Sequence, residues 1–290
     1  MLQKINQKWA LSLGIFFLFF VHGALIGMTD DEAYYWVLAQ KPDWSFAYHP
    51  PAVVWTVAFF QKLFGTFFDQ PQTWLTRLPC AVAGAFIFWL MFKWLEDLGV
   101  KRTQFWRAAI VLCSFVGFFS GAWMIVPDVP LMLGFMLMLV FTWRICFKSA
   151  HSSDYLFLGL GTLIALLSKY SAILMVASSF FALWAYAPRV HRQKALVYLV
   201  VFSVLAMIPI LIWNIQHEWA SILYQIKDRH GGGSLSWMRF LRFWLIEALL
   251  AGPALMIFVF FIFKRAFRGP DVLLSRYFLI WVLPGLLVFG

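Results

Sequence analysis

Charge is scarce in this chain: only 12% of its 290 residues are Asp, Glu, Lys or Arg, and just 13 are acidic. A soluble domain of this size carries about twice that charged fraction, so a water-exposed globular surface is excluded. Cysteine is scarcer still. The three residues Cys80, Cys113 and Cys146 lie in or beside apolar runs, with no CxxC spacing. That excludes a disulfide framework, and they read as small hydrophobes. Neither a Rossmann glycine fingerprint nor a P-loop occurs, so no nucleotide and no cofactor is implied. Metal-dependent transfer by Asp31, Asp128, His49 and His217 would need a compact ligand motif, and their spacings form none.

What the chain has instead is apolar length. It is 63% hydrophobic and 20% aromatic, with 33 Phe and 16 Trp, the composition of an integral membrane protein. Candidate spans fall at 9–27, 77–95, 108–126, 129–147, 155–168, 171–187, 195–213, 240–263 and 277–290, predicting an all-α, polytopic transmembrane bundle in a single domain over 1–290. Residues 1–27 resemble a signal peptide, but the run from Trp9 is long for one and meets acids directly, so it reads as an uncleaved first span. The last run breaks off at Gly290, as in the N-terminal part of something longer.

The net charge of +10 sits in loops, which makes nucleic acid an unnecessary partner. Basic residues gather before the first span and around Lys93–Arg107, Arg144–Lys148, Arg189–Lys194 and Lys264–Arg276. The spans between these segments pair into hairpins, so all five fall on one side, which the positive-inside rule makes cytoplasmic. The segment 52–68 is apolar enough to cross, but crossing would turn most later basic segments outward. It is therefore expected to lie in the outer interface or fold back into it, within a first outer loop over 28–76.

With that topology the unusual polar groups share the outer face of an inner, or plasma, membrane. Asp128 divides the apolar stretch 108–147, and Lys169 is the only charge between Tyr155 and Ala187. An intramembrane charge costs roughly 2.5–3.5 kcal/mol at mid-bilayer, so it marks function or an internal partner. Carboxylates (Asp30, Asp31, Glu32, Asp128), cationic or titratable groups (His49, Lys169, Arg229, His230) and Tyr34, Tyr35, Tyr170 and Asn214 assemble there. Carboxylates suit proton abstraction or acceptor orientation, and cations suit a phosphate leaving group. Together they point to a phosphorylated lipid substrate, with membrane lipids as further partners. In "TDDEAYYW", Thr29 or Asp30 can cap a short helix floated at headgroup level by its aromatic residues. "AYHPP" then leads into the next helix by an extended segment. The "KDRHGGG" run, Lys227 to Gly233, could wrap a headgroup. A transporter or lipid flippase is the rival reading, but it would spread polar groups through the depth of the bundle, where Glu247 and Lys169 alone lie.

The ordered motifs "DEAYYW…YHPP…RLP…PD…SKY…WN.QH.WAS…RHGGG", roughly 30–233, resemble the polyprenyl-phosphate-sugar-dependent glycosyltransferases. These are bacterial relatives of the protein O-mannosyltransferases and of the lipid A aminoarabinose transferase, and share the GT-C fold. The resemblance implies Asp31 as catalytic residue with Glu32 beside it, His49 near the donor phosphate, and Asp128 as the acid of the second outer turn. It implies inverting transfer from a polyprenyl-phosphate-linked sugar to a lipid, glycan or protein acceptor. The family's C-terminal membrane helices or domain, which help choose the acceptor, are missing from this sequence.

Overall fold

The computed structural model describes residues 7–65, 72–114, 119, 121–229 and 272–289, with scattered positions between 237 and 264. Helices make up the architecture, and no strand occurs among the described residues. They are α1 (Gln7–Leu25), α2 (Asp30–Ala39), α3 (Ala52–Phe64), α4 (Thr73–Asp97), α5 (Phe105–Cys113), α6 (Asp128–Phe147), α7 (Ser152–Ser168), α8 (Ile173–Tyr186), α9 (Arg189–Gln216), α10 (Ala220–Leu223) and α11 (Val272–Phe289). Four of these, α1, Trp74–Asp97 of α4, α6 and α9, are long and apolar enough to cross a membrane.

Most predicted spans fall on these helices. The run 108–126 does not form one described helix: α5 ends at Cys113, and residues 122–127 form turns and bends leading into α6. The predicted span 240–263 lies outside the continuously described residues. Helices α7 and α8 have 17 and 14 residues, about 25 and 21 Å of rise, short of the ~30 Å hydrocarbon core. Lys169 stands at the junction between them, as the C-cap of α7. Segment 52–68 is helical from Ala52 to Phe64, and this helix packs against α2, α4 and the start of α6. Its Val53, Val54 and Val57 pack with Tyr35, Ala39, Cys80, Ile125 and Val129, and Gln40 Nε2 donates to Gln61 Oε1 at 3.0 Å.

Charge separates the two ends of the bundle. At one end Lys8 pairs with Glu96, which also holds Arg102; Arg144 bridges Asp97 at 2.7 Å and Asp154 at 3.0 Å. The start of α6, the end of α7 and the end of α9 lie at the other end, with α2 and α3. Between the ends, α6 and α7 cross in close backbone contact. A Cβ added at Gly134 would meet the Ala165 nitrogen and Gly161 oxygen at 2.7 Å, so the crossing depends on glycine.

Gly134→Val is expected to lower the unfolding temperature in detergent markedly, because overpacking against backbone cannot relax by rotamer change and costs roughly 1–3 kcal/mol. An unchanged melting curve would show that the helices can separate at no cost.

Candidate active site

Helix α2 is set by its first turn. Thr29 is extended (φ −80°, ψ 166°), and its Oγ1 accepts from the Glu32 amide at 3.4 Å. The Glu32 carboxylate reaches back to the Thr29 amide at 3.0 Å, completing a capping box. Thr29 is thus the cap, and Asp30, which the sequence left as the other choice, is the first helical residue. All three acids stand in the first turn, where the helix dipole favours them.

Their surroundings differ sharply. Glu32 is 0% exposed, whereas Asp30 and Asp31 face outward. Arg77 of α4 grips Glu32 in a fork, Nε to Oε1 at 2.7 Å and Nη2 to Oε2 at 2.6 Å. The Ile125 amide adds a bond to Oε1 at 3.2 Å. The other side of the guanidinium donates to the carbonyls of Gly23, Ile26 and Gly27 at 2.5, 2.5 and 2.8 Å, and its face lies over Trp123. Burial raises the Glu32 pKa, but the Arg77 bonds and the Thr29 and Ile125 amides outweigh it and hold the carboxyl below its ordinary value. Glu32, expected at the site as a catalytic or supporting group, is enclosed in this bridge and does not line the open cavity.

That cavity, about 520 Å³, opens beside α2. Asp30, Asp31, Tyr34 and Tyr35 line it from the helix; Tyr48 and His49 come from the connection to α3, and Tyr224 from a π-helical turn after α10. Tyr48 stacks edgewise on Tyr224 with ring centres 4.9 Å apart, and Tyr35 lies 6.3 Å from His49. Burial and the neighbouring Tyr48 push the Tyr34 phenol up, so it stays neutral and able to donate. Asp31 and His49, both expected at the site, thus line one cavity. The extended lead into α3 stops before Pro51, which is already helical (φ −82°, ψ −6°).

The remaining predicted residues sort into two arrangements. Lys169 Nζ donates to Asp128 Oδ1 at 2.9 Å, so each of these isolated charges compensates the other. Tyr170 is 2.7 Å from Ser221 Oγ, and Asn214 Nδ2 donates to the same hydroxyl at 2.8 Å. Asn214 is 0% exposed and also accepts from the Ile222 amide; it fastens α10 rather than facing open space. Arg229 ends the π-helical turn, while His230, Gly231–Gly233 and Glu247 lie outside the described residues. Sequence reasoning missed Arg77 as a site-builder, although a lone arginine opening an apolar helix was its signal. It also missed Asp43, Tyr48 and Tyr224, which no spacing marks. Among the described residues no three His, Cys, Asp or Glu side chains form a metal-ligand set.

The family model for dolichyl-phosphate-mannose-protein mannosyltransferase matches residues 48–213, which include His49, Arg77, Asp128, Lys169 and Tyr170. The lipid A galacturonosyltransferase RgtD of Rhizobium johnstonii is 23% identical over 241 residues, 82% of this chain and 50% of that protein. The chain thus spans about half the length of that curated relative. No solved structure matches.

Removing one partner of a buried pair strands the other charge. Glu32→Gln is therefore expected to destabilise by about 3–5 kcal/mol, read by thermal unfolding in detergent at neutral pH. Because the folded pKa is depressed, Glu32 stabilises fully above the unfolded carboxylate range and loses that contribution as pH falls through its folded value. The variant should flatten the acid limb of stability against pH; an unaltered limb would assign the acid sensitivity to other carboxylates.

Proposed function

The chain belongs to the dolichyl-phosphate-mannose-protein mannosyltransferase family, and from that premise we propose that it is an inverting membrane glycosyltransferase of the GT-C type. It takes a sugar from a polyprenyl-phosphate donor and passes it to a hydroxyl of a lipid, glycan or protein acceptor at the outer face of the membrane. The observation that carries this reading is the cavity that Asp31 and His49 both line, at the end of the bundle away from its Lys8–Glu96 and Arg144–Asp154 pairs.

Asp31 is exposed to the cavity, and no Lys or Arg among the described residues pairs with it. An acceptor hydroxyl bonded to this carboxylate is oriented toward the anomeric carbon and gives up its proton as the new C–O bond forms. The bond from that carbon to the phosphate oxygen breaks, and the electron pair leaves with the lipid phosphate. His49 lies where a cation would meet that phosphate, and Tyr34 and Tyr48 offer neutral donors to sugar hydroxyls. The Asp128–Lys169 pair serves as a switchable anion site: a donor phosphate competes with Asp128 for the ammonium. Glu32 acts through Arg77, holding α2 so that Asp31 keeps its direction. The name of the Rhizobium relative supports transfer to a lipid A-type acceptor, a hydroxyl-rich glycolipid.

Asp31→Asn keeps size and removes charge. It should cut sugar transfer in membranes supplied with a defined polyprenyl-phosphate sugar by roughly 100-fold or more, with donor binding kept. Asp30→Asn, about 100° round the helix and not the cap, should stay within a few-fold of wild type. Full transfer by the Asp31 variant would move the catalytic role to another carboxylate.

Orientation is open to a separate test. In a background with Cys80, Cys113 and Cys146 replaced by alanine, a cysteine at Glu218 should react with an impermeant maleimide added outside intact cells, and one at Arg192 should not. The opposite pattern would put the cavity on the cytoplasmic side.

A further inference from the structure

A second cavity stands on the same α2–α3 connection that supplies Tyr48 and His49. It holds about 400 Å³, within the ~300–1,000 Å³ of small-molecule sites, and is lined by Pro42, Asp43, Trp44 and Trp55. Two indoles and one carboxylate are an unusual lining. Trp44 is 49% exposed, although a large apolar ring gains by burial. Trp55 is anchored by its Nε1, which donates to the Asp43 carbonyl at 2.7 Å.

Asp43 is held with equal care. Its Oδ1 accepts from the Trp44 amide at 2.7 Å and its Oδ2 from Trp213 Nε1 at 3.1 Å. Trp213 is in turn stacked on His217, with ring centres 4.1 Å apart and 9° between the planes. His217 Nδ1 lies 2.8 Å from the Trp213 carbonyl, just before the left-handed pair Glu218 and Trp219 (φ 53° and 62°). Two residues in that conformation are costly and persist only where the surroundings fix them. Neutral N–H donors thus position the carboxylate, and among the described residues no Lys or Arg neutralises it. A carboxylate has about four acceptor sites, so it retains capacity for hydroxyl or ammonium donors.

We infer that the Asp43–Trp44–Trp55 cavity is a subsite for a neutral or amino-bearing pyranose ring of the acceptor, resting on the transferase reading above. The C–H face of a pyranose packs on an aromatic ring, while its hydroxyls donate to a carboxylate. The uncompensated charge turns away phosphate and uronate, so the donor phosphate belongs with His49 and Lys169 and the acceptor sugar belongs here. Both cavities take residues from the connection between Ala39 and Ala52, which ties recognition of the acceptor to the place where its hydroxyl reacts.

The test is ligand-observed saturation-transfer NMR on the full chain in phosphatidylcholine nanodiscs, without donor, using cellobiose, a glucosamine disaccharide and cellobiouronic acid. Wild type should bind the first two and discriminate against the acid. Trp44→Ala should weaken cellobiose binding by roughly tenfold, the order of one aromatic contact, and Trp44→Phe should restore most of it. Asp43→Asn should keep cellobiose and narrow the gap to the acid. No pyranoside binding in wild type, or equal binding by Trp44→Ala, overturns the subsite. So does a Trp44→Ala variant that binds sugar normally but loses quenching by bromine-tailed lipid, which would make Trp44 a membrane anchor. A parallel transfer assay separates the two readings. Transfer without pyranoside binding sinks the subsite alone, and binding without transfer counts against the transferase reading alone.

Discussion

The bridge between Arg77 and Glu32 is the constraint on which the site is built. Taking both ions from water costs several kcal/mol each, and in this setting the cost is met only if every donor and acceptor finds a partner. Here they do: the carboxylate takes the Arg77 fork, the Thr29 amide and the Ile125 amide, and the guanidinium spends its other donors on carbonyls at and just past the end of α1. One ion pair therefore fixes the end of α1, the start of α2, the start of α4 and the turn before α6. It also explains why Gly23 is small, since a Cβ there would meet Arg77 Cδ at 3.3 Å. The direction of Asp31 follows. With Glu32 turned fully inward, its neighbour about 100° round the helix must face the open cavity.

The same rule of compensation governs the far end and the depth of the bundle. Glu96, Asp97 and Asp154 are each matched to a cation, so this end keeps its excess of basic charge without a lone buried acid. At the site end Lys169 is matched to Asp128 across the α6 and α7 termini. Helices α7 and α8, on either side of Lys169, are short of the full hydrocarbon thickness.

Much of this was legible in the sequence, and what was not has a common cause. Apolar run lengths located α1, α4, α6, α7, α8, α9 and α11, because span length follows from bilayer thickness alone. Loop charge argued for keeping 52–68 at the surface, and its helix packs beside α2 and α4. The helical angle between adjacent residues said that Asp30, Asp31 and Glu32 cannot share one direction, and the family resemblance chose Asp31 among them. Pairings across distant segments were illegible: nothing in spacing joins Glu32 to Arg77, Asp128 to Lys169 or Asp43 to Trp213. Asn214 looked like a ligand-facing amide because burial of a polar group depends on neighbours, here Ser221 and Ile222, that periodicity does not specify. The break in 108–126 was hidden for a similar reason, since hydropathy counts apolar residues without sensing where Glu32 needs a backbone amide from Ile125.

The acids at the site end divide by the kind of donor each one meets, and that division is what chemistry can use. Glu32 and Asp128 are answered by full positive charges and are thereby spent on structure or on holding an ammonium. Asp43 is answered by an indole and an amide, which position a carboxylate without cancelling it. Asp31 is answered by open cavity. A transfer that ejects a phosphate and deprotonates a hydroxyl needs positive and negative centres within one small space. They must stay apart, or they would neutralise each other before substrate arrives. Burying one Arg–Glu pair and pairing Lys169 with Asp128 commits those cations elsewhere, which under the proposed transfer leaves the Asp31 carboxylate to take the acceptor's proton.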